Sequence, residues 1–171
     1  MGHEESGLER VFMEHHDRIF RAAYRVTGNA FDAEDVLQTV FLRLARREDA
    51  PAADNLASYL YRAAVNTALD VLRSRKGKTA SVPLDSAPAP VDASPSPEDE
   101  AERGQLRAWL RGALTELSPE AALMFTLRYV EGHGNTDIAR MLSVSRIRVA
   151  VSLHRTRKRL RDEFRATRGV R

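Results

Sequence analysis

Residues 136–161 read TDIARMLSVSRIRVAVSLHRTRKRLR, and this stretch decides the fold of the C-terminal part of the chain. Its apolar residues fall where a short helix, a tight turn and a longer helix would bury them: Ile138, Ala139, Leu142, Val144, Val149, Leu153 and Leu160. The second helix is otherwise basic, with Arg146, Arg148, Arg155, Arg157, Lys158, Arg159 and Arg161. A helix with one packing stripe and a cationic remainder is suited to lie against a polyanion. The stretch therefore predicts a helix-turn-helix that binds nucleic acid.

The turn and the start of the second helix carry further signals. Ser143 occupies the turn position, where glycine is more usual because the backbone needs a positive φ. Ser145 is expected to cap the second helix, so that Arg146 and Arg148 face outward near base edges, where arginine can bind guanine. The later cations Arg155, Arg157 and Lys158 are expected to meet phosphates. The alternative is a solvated basic helix packed in a bundle.

The charge of the chain is divided unequally between its two halves. Residues 1–102 hold 12 Lys and Arg against 18 Asp and Glu, whereas residues 103–171 hold 15 against 6. The two parts therefore carry net charges of −6 and +9 within the overall +3. Opposite signs in the two halves imply different partners for each half.

A proline-rich segment separates the two halves. Five of the seven prolines lie in SVPLDSAPAPVDASPSPEDE, which has no helical or alternating apolar pattern. Such composition predicts a flexible Pro/Ala/Asp-rich linker over residues 78–102. Apolar residues recur at three- and four-residue steps on both sides of it, and Asp32 is a candidate cap for the second helix. The chain is therefore predicted to be all-α, with small helical domains over residues 8–77 and 103–167.

Several classes of protein are disfavoured by what the sequence lacks. There is no cysteine, no Gly-rich phosphate loop, no zinc-type histidine spacing and no nucleophile-elbow pattern. No apolar run approaches the ~20 residues that a membrane span needs, and the polar N-terminus is unlike a secretory signal. We expect a cytoplasmic protein that is not an enzyme, with no catalytic residues, no cofactor, no metal, no small-molecule substrate and no membrane insertion.

The N-terminal domain offers a second candidate surface. The polar face of its second helix presents Asp35, Gln38 and Arg43. Its third helix presents Tyr61, Arg62, Asn66 and Arg73. Aromatic, amide and cationic groups together suit single-stranded nucleic acid, because bases stack on rings and phosphates bind arginine. The alternative is that the tyrosines are core or rim residues and the arginines are solvated.

In this order and with this linker, the segments resemble the extracytoplasmic-function sigma factors of bacterial RNA polymerase. AEDVLQTVFLRLARR is similar to the region-two helix of that family that docks on polymerase, and YLYRAAVNTALDVLR to its promoter-melting helix. LTELSPEAALMFTLRYVEGHGNTDIARMLSVS is similar to region four, whose helix-turn-helix binds the −35 element. The resemblance implies core RNA polymerase and promoter DNA as partners. An anti-sigma factor is a common further partner in the family, and the sequence leaves open whether this chain has one.

The resemblance also implies roles for particular residues. It places Asp35, Gln38, Phe41 and Leu44 at the polymerase contact, although Phe41 and Leu44 fit the core equally well. It places a flipped-out base of the −10 element in the loop of residues 48–56, near Tyr61, Arg62 and Asn66; extruding a base costs a few kcal/mol. Arg146, Arg148, Ser152 and Arg155 would face the −35 groove.

The chain departs from the family pattern at two places. Tyr59 stands where tryptophan is usual, and the run from Ile147 to Ser152 replaces a Gly-Thr-Val-Lys-Ser-Arg type of run. Ala150 and Ser152 thereby lose two phosphate donors while Arg148 adds one, and each lost contact lowers the salt-dependence slope by about 0.9. Two other functions remain open: a helix-turn-helix regulator that binds duplex DNA alone, and a protein–protein adaptor whose basic helix binds an acidic partner.

Overall fold

The computed structural model describes residues 2–46, 53–78 and 96–169 of the chain. Its helices are α1 (Gly2–Thr27), α2 (Ala30–Ala45), α3 (Ala53–Lys78), α4 (Pro97–Thr115), α5 (Pro119–Phe125), α6 (Asn135–Leu142) and α7 (Arg146–Gly169). A π-helical segment, Thr126–Val130, continues α5. Within these ranges there is no β-strand, and the predicted all-α class is confirmed.

Helices α1, α2 and α3 pack together as the N-terminal domain. Gly28, with a φ of 67°, ends α1, and Asn29 then caps α2 by accepting a hydrogen bond from the backbone NH of Asp32 at 3.1 Å. The expectation that Asp32 is the cap was therefore wrong. Asp32 is the third residue of the helix, and its buried carboxylate accepts a 2.7 Å hydrogen bond from Arg75 in α3.

The C-terminal domain contains the predicted helix-turn-helix, formed by α6 and α7. Ser143 lies between the two helices with a φ of 55°, so the turn has the left-handed conformation that the sequence predicted. The backbone NH of Val144 returns to the carbonyl of Ala139 at 3.0 Å and closes the end of α6. Ile138 and Val149 are fully buried where α6 and α7 pack. The positions of these two helices are thus set by their own turn chemistry and packing.

The helix α4 begins earlier than the sequence indicated. Ser96 caps it through its side chain, Pro97 is the first helical residue, and Glu98 lies in the acidic first turn. Residues 97–102 are therefore helical, although they were assigned to the linker. Ser-Pro-Glu is the same start signal as Ser118-Pro119-Glu120, which does begin α5, but the surrounding linker-like composition concealed it. The rest of the predicted linker, residues 79–95, lies outside the described residues.

Polar groups make several of the contacts between the two domains. The Nε of Arg111 in α4 donates to the carbonyl of Val26, at the end of α1, at 3.3 Å. The Nζ of Lys76 in α3 binds the carboxylate of Glu116, which follows α4. Carbonyls at a helix C-terminus attract cations, so Arg111 is well placed to join the domains.

Candidate nucleic-acid interface

The N-terminal half of α7 presents its cations to solvent. The backbone NH of Arg148 donates to Ser145 Oγ at 3.1 Å, so the predicted cap of the recognition helix is present. The six remaining predicted groove or phosphate residues are Arg146, Arg148, Ser152, Arg155, Arg157 and Lys158, of which Ser152 is half-buried and the others are exposed. Val149 and Leu153 are buried on the side of α7 that packs against the domain, and at 100° per residue Arg155 and Lys158 lie on the opposite side.

Arg148 binds a carboxylate outside α7. Its Nη2 lies 2.8 Å from the carboxylate of Glu120, in the first turn of α5. Both side chains are about half exposed, so a phosphate or base could replace Glu120 at little cost.

The residues that the resemblance assigned to the polymerase contact divide into two pairs. Asp35 and Gln38 are exposed on α2. Phe41 and Leu44 are buried, and the ring of Phe41 packs edge-on against Phe12 with centroids 4.9 Å apart. Phe41 and Leu44 therefore belong to the core, because they continue the same helical stripe as the buried Val36, Leu37 and Val40.

Two apolar residues on the surface of α2 escaped the sequence reasoning. Phe31 is 84% exposed and Leu42 is 54% exposed. Residues 31, 35, 38 and 42 are spaced by three or four, so they share one face of the helix. We call Phe31, Asp35, Gln38 and Leu42 the α2 face. The sequence already contains this pattern, because these residues repeat with helical spacing on the side of α2 opposite its buried stripe.

The third helix presents fewer of its predicted nucleic-acid residues. Arg62, Asn66 and Arg73 share one side of α3, but only Asn66 is fully exposed. Arg73 is paired with Asp70 at 3.0 Å, and one Arg62 nitrogen is buried without a hydrogen-bond partner. The loop proposed to hold a flipped base lies outside the described residues from 48 to 52, and α3 begins at Ala53.

Tyr61 is buried in this arrangement, contrary to the expectation that it is an exposed stacking surface. It is 3% exposed, and its hydroxyl donates a hydrogen bond to the Glu131 carboxylate of the C-terminal domain. The ring of His133 packs edge-on against it at 5.3 Å. Burial, together with the hydrogen bond and the negative charge of Glu131, raises the pKa of Tyr61 well above its ordinary value. The cover comes from the other domain, which helical periodicity in α3 cannot indicate.

A row of arginines on α1 surrounds this contact. Arg18, Arg21 and Arg25 recur at steps of three and four and line a cleft of about 490 Å³ together with Tyr61 and Glu131. Arg25 donates to Glu131 Oε2 at 2.9 Å, and the guanidinium of Arg18 lies 4.9 Å from the centre of the Tyr61 ring. We call Arg18, Arg21 and Arg25 the α1 arginine row. The row was visible in the sequence as a helical repeat but was not recognised there.

The described parts of the chain contain no cluster of three His, Asp or Glu side chains that could hold a metal ion. Over the same residue ranges, none of the helices combines the length and apolar character needed to cross a membrane.

Two family models match the chain in the order that the resemblance implied. The model for Sigma-70 region 2 matches residues 11–78, and the model for Sigma-70 region 4 matches residues 107–160. The first match covers α1 from residue 11 onward, with its arginine row, and all of α2 and α3. The second covers the C-terminal half of α4, all of α5 and α6, and α7 as far as Leu160.

Named relatives extend this similarity over nearly the whole chain. The chain is 33% identical to the ECF RNA polymerase sigma factor SigE of Mycolicibacterium smegmatis, over 90% of its own length and 60% of the relative. It thus spans less than two thirds of that protein. It is also 33% identical to the RNA polymerase sigma-E factor of Streptomyces avermitilis, over 92% of this chain and 84% of the relative.

A solved structure supports the fold. The sigma factor RpoE of Bartonella quintana, in complex with the anti-sigma factor NepR, aligns over 90% of this chain and 94% of its own, with a TM-score of 0.54 and 18% identity. At that identity the similarity shows the fold alone. The sequence relatives and both family models show more: this chain belongs to the extracytoplasmic-function sigma factors of RNA polymerase.

Proposed function

We propose that this protein binds core RNA polymerase and directs transcription initiation at promoters that carry particular −10 and −35 elements. The observation that carries this proposal is the union of region two and region four in one chain, each with an exposed surface of different character. A DNA-binding regulator that acts alone would need no region-two domain. An adaptor would need no recognition helix.

The α2 face is the proposed polymerase contact. Asp35 and Gln38 supply polar groups, and Phe31 and Leu42 supply exposed apolar surface beside them. Apolar residues surrounded by polar groups are typical of the buried centre of a protein interface. Phe41 and Leu44 support this face from beneath by packing in the core.

The −10 element is the proposed partner of α3 and the α1 arginine row. Asn66 is accessible, and Arg62 and Arg73 lie on the same side of α3. Tyr61 joins this surface only when the C-terminal domain moves away, because Glu131 and His133 cover it. The chain would therefore open before or during promoter binding.

The −35 element is the proposed partner of α7. Arg146, Arg148, Ser152 and Arg155 would face the major groove, Ser145 would place a capped helix start near the bases, and Arg157 and Lys158 would meet phosphates. Residues 8–77 and 103–167 would thus have separate tasks, with the first turn of α4 added to the second domain. Such a protein acts in the cytoplasm, without a cofactor or catalytic residue, and an anti-sigma factor is the further partner we propose, because RpoE binds one.

Run-off transcription with core polymerase, with and without this protein, tests the proposal. Promoter-specific transcripts are expected only when both are present. If no such transcript forms and the protein does not co-purify with core polymerase, the proposal fails. Specific duplex binding without any polymerase would then favour the regulator that acts alone.

Two substitutions test the division of labour. Asp35→Arg should abolish binding to core polymerase and leave duplex binding by the C-terminal domain intact. Asp17→Arg, the same charge change on the exposed surface of α1, is the control and should bind core polymerase normally. Arg148→Ala should weaken −35 binding about tenfold without affecting core binding. If both Asp35→Arg and Arg148→Ala lose the same activity, the two surfaces do not have separate roles.

A further inference from the structure

The recognition helix presents two apolar side chains to solvent. Ile147 is 76% exposed and Val151 is 43% exposed. At 100° per residue, both lie within about 30° of the direction opposite the buried stripe of α7. That stripe consists of Val149, Leu153, Thr156 and Leu160. Ile147 and Val151 therefore project directly away from the domain, one turn apart.

Cations border this apolar pair. Arg148 and Arg155 lie on one side of it and Lys158 continues the line toward the C-terminus, all of them exposed. From Arg146 to Arg161 the sequence of α7 has no acidic residue. A partner of this surface must therefore be anionic around its edge and apolar at its centre.

Duplex DNA has that character in its major groove. Phosphates line both edges, and each thymine presents a C5 methyl group on the groove floor. The first turns of a recognition helix lie nearest the base edges, which is where Ile147 and Val151 stand. A protein interface would need a larger apolar centre than two side chains beside a row of cations.

We propose that Ile147 and Val151 determine sequence specificity by packing against thymine methyl groups of the upstream promoter element. This inference rests on the proposed function and names what that site recognises. The arginines around the pair supply affinity through phosphates and guanine, whereas the apolar pair selects thymine at the positions it covers. The departure from the usual family run at Ile147 then has a function of its own.

The test compares thymine with deoxyuridine, which differs only in lacking the methyl group. A pool of duplexes, randomised over the upstream element, is selected with the full chain bound to core polymerase. If no complex with core forms, the full chain alone performs the same selection. Each thymine of the selected duplex is then replaced singly by deoxyuridine, and the Kd is measured for the wild-type chain and for variants.

The wild-type chain should lose about fourfold in affinity at one or two thymines, the amount expected for one methyl group left in water. Ile147→Ala or Val151→Ala should bind the thymine and uracil forms equally at the corresponding position. Ile147→Val should retain part of the preference. Because both side chains are exposed, these variants should unfold at the same temperature as the wild type.

Lys158→Ala is the matched control on the same helix, because Lys158 is an exposed cation proposed to meet a phosphate. It should weaken binding to both forms equally and lower the salt-dependence slope by about 0.9, as loss of a phosphate contact does. Leu106→Ala removes an exposed apolar side chain of α4 and should change neither the affinity for DNA nor its salt dependence.

The inference is overturned if the wild type does not distinguish thymine from uracil, if no sequence is selected, or if Ile147→Ala keeps the full preference. It is also overturned if Ile147→Ala and Val151→Ala leave DNA binding unchanged and weaken binding to polymerase, since the face would then contact protein. Promoter-specific transcription that persists alongside any of these results would leave the proposed function standing. Thymine selectivity without promoter-specific transcription would support the inference and contradict the proposed function.

Discussion

The hydroxyl of Tyr61 donates a hydrogen bond to the carboxylate of Glu131, although the two residues are 70 positions apart and belong to different domains. The Glu131 side chain is only 3% exposed, and Arg25 binds the same carboxylate oxygen. Tyr61 is a proposed contact of the −10 element. The Glu131 carboxylate therefore lies where a phosphate of a bound DNA strand could accept hydrogen bonds from Tyr61 and Arg25. The closed arrangement of the chain and a DNA complex would compete for these two donors.

Glu131→Gln should shift the chain from this closed arrangement toward an open one. Charge-assisted hydrogen bonds are stronger than neutral ones by about 1 kcal/mol or more, so the open-to-closed ratio should rise about tenfold. The chain has no cysteine, so labels can be attached at Ala45→Cys and Ala166→Cys, two exposed sites in different domains. The measured distance distribution should move to longer values, and single-stranded DNA should bind more tightly.

The control for this change is Glu116→Gln. Glu116 also joins the domains, through Lys76, but both side chains are about half exposed. Exposed pairs contribute about 0–1 kcal/mol, so the effect on the distance distribution should be small. If Glu131→Gln leaves the distances unchanged, Glu131 does not hold the domains together.

The ionisation of Tyr61 should report the same contact. Burial and Glu131 raise its pKa well above the ordinary 10.0. Above pH 10, Tyr61 keeps its proton in the closed form and loses it in the open form. The contribution of Tyr61 to the stability of the closed form is therefore complete below pH 10 and is lost as the pH rises further. In a spectrophotometric titration of tyrosine ionisation, a step above the ordinary pKa of 10.0 should be present, and Tyr61→Phe should remove that step. A titration curve that Tyr61→Phe leaves unchanged would contradict the contact.

Gly28 should tolerate a side chain less well than Gly132. Both have a positive φ, 67° and 79°, which costs a non-glycine residue about 1–2 kcal/mol. A Cβ at Gly28 would also collide with the guanidinium of Arg111, whereas one at Gly132 meets nothing within 4 Å. In chemical denaturation, Gly28→Ala should therefore lose more stability than Gly132→Ala. Equal losses would mean that Arg111 moves aside freely.

Leu42→Ala should weaken binding to core polymerase about tenfold, because burying a leucine side chain contributes about 1.5–3 kcal/mol. It should not alter stability, since Leu42 is 54% exposed. Leu44→Ala is the informative comparison, because Leu44 is buried and its truncation should cost about 2–5 kcal/mol of unfolding free energy. A Leu44→Ala variant that is stable but unable to bind polymerase would show that its assignment to the core is mistaken.

These residues also show which structural features can be predicted from the sequence alone. Ser143 and Ser145 act through local backbone chemistry, and the left-handed turn and the cap of the following helix were predicted correctly from them. Phe41 and Leu44 were assigned to a partner by resemblance, which matches positions but not side-chain directions. The helical periodicity of α2 already indicates that both side chains are buried, since both continue the buried stripe.

Tyr61 is a different case. Its burial depends on Glu131 and His133, which come from a domain beyond the linker. No periodicity within α3 contains that information. The contact between the two domains joins residues that are far apart in the sequence, so it is revealed by the three-dimensional structure and not by local sequence patterns.

Glu120→Gln should strengthen duplex binding by the recognition helix. Glu120 holds the guanidinium of Arg148 at 2.8 Å and places a negative charge beside the surface proposed to meet DNA. Its removal frees Arg148 and lessens repulsion of phosphates, so binding should tighten about threefold at low salt, with the gain vanishing at high salt. Glu163→Gln, which releases Arg159 farther along α7, makes the same charge change and is the control. Equal gains in the two variants would mean that only net charge matters. Weaker binding by Glu120→Gln would mean that the carboxylate instead orients Arg148 for the groove.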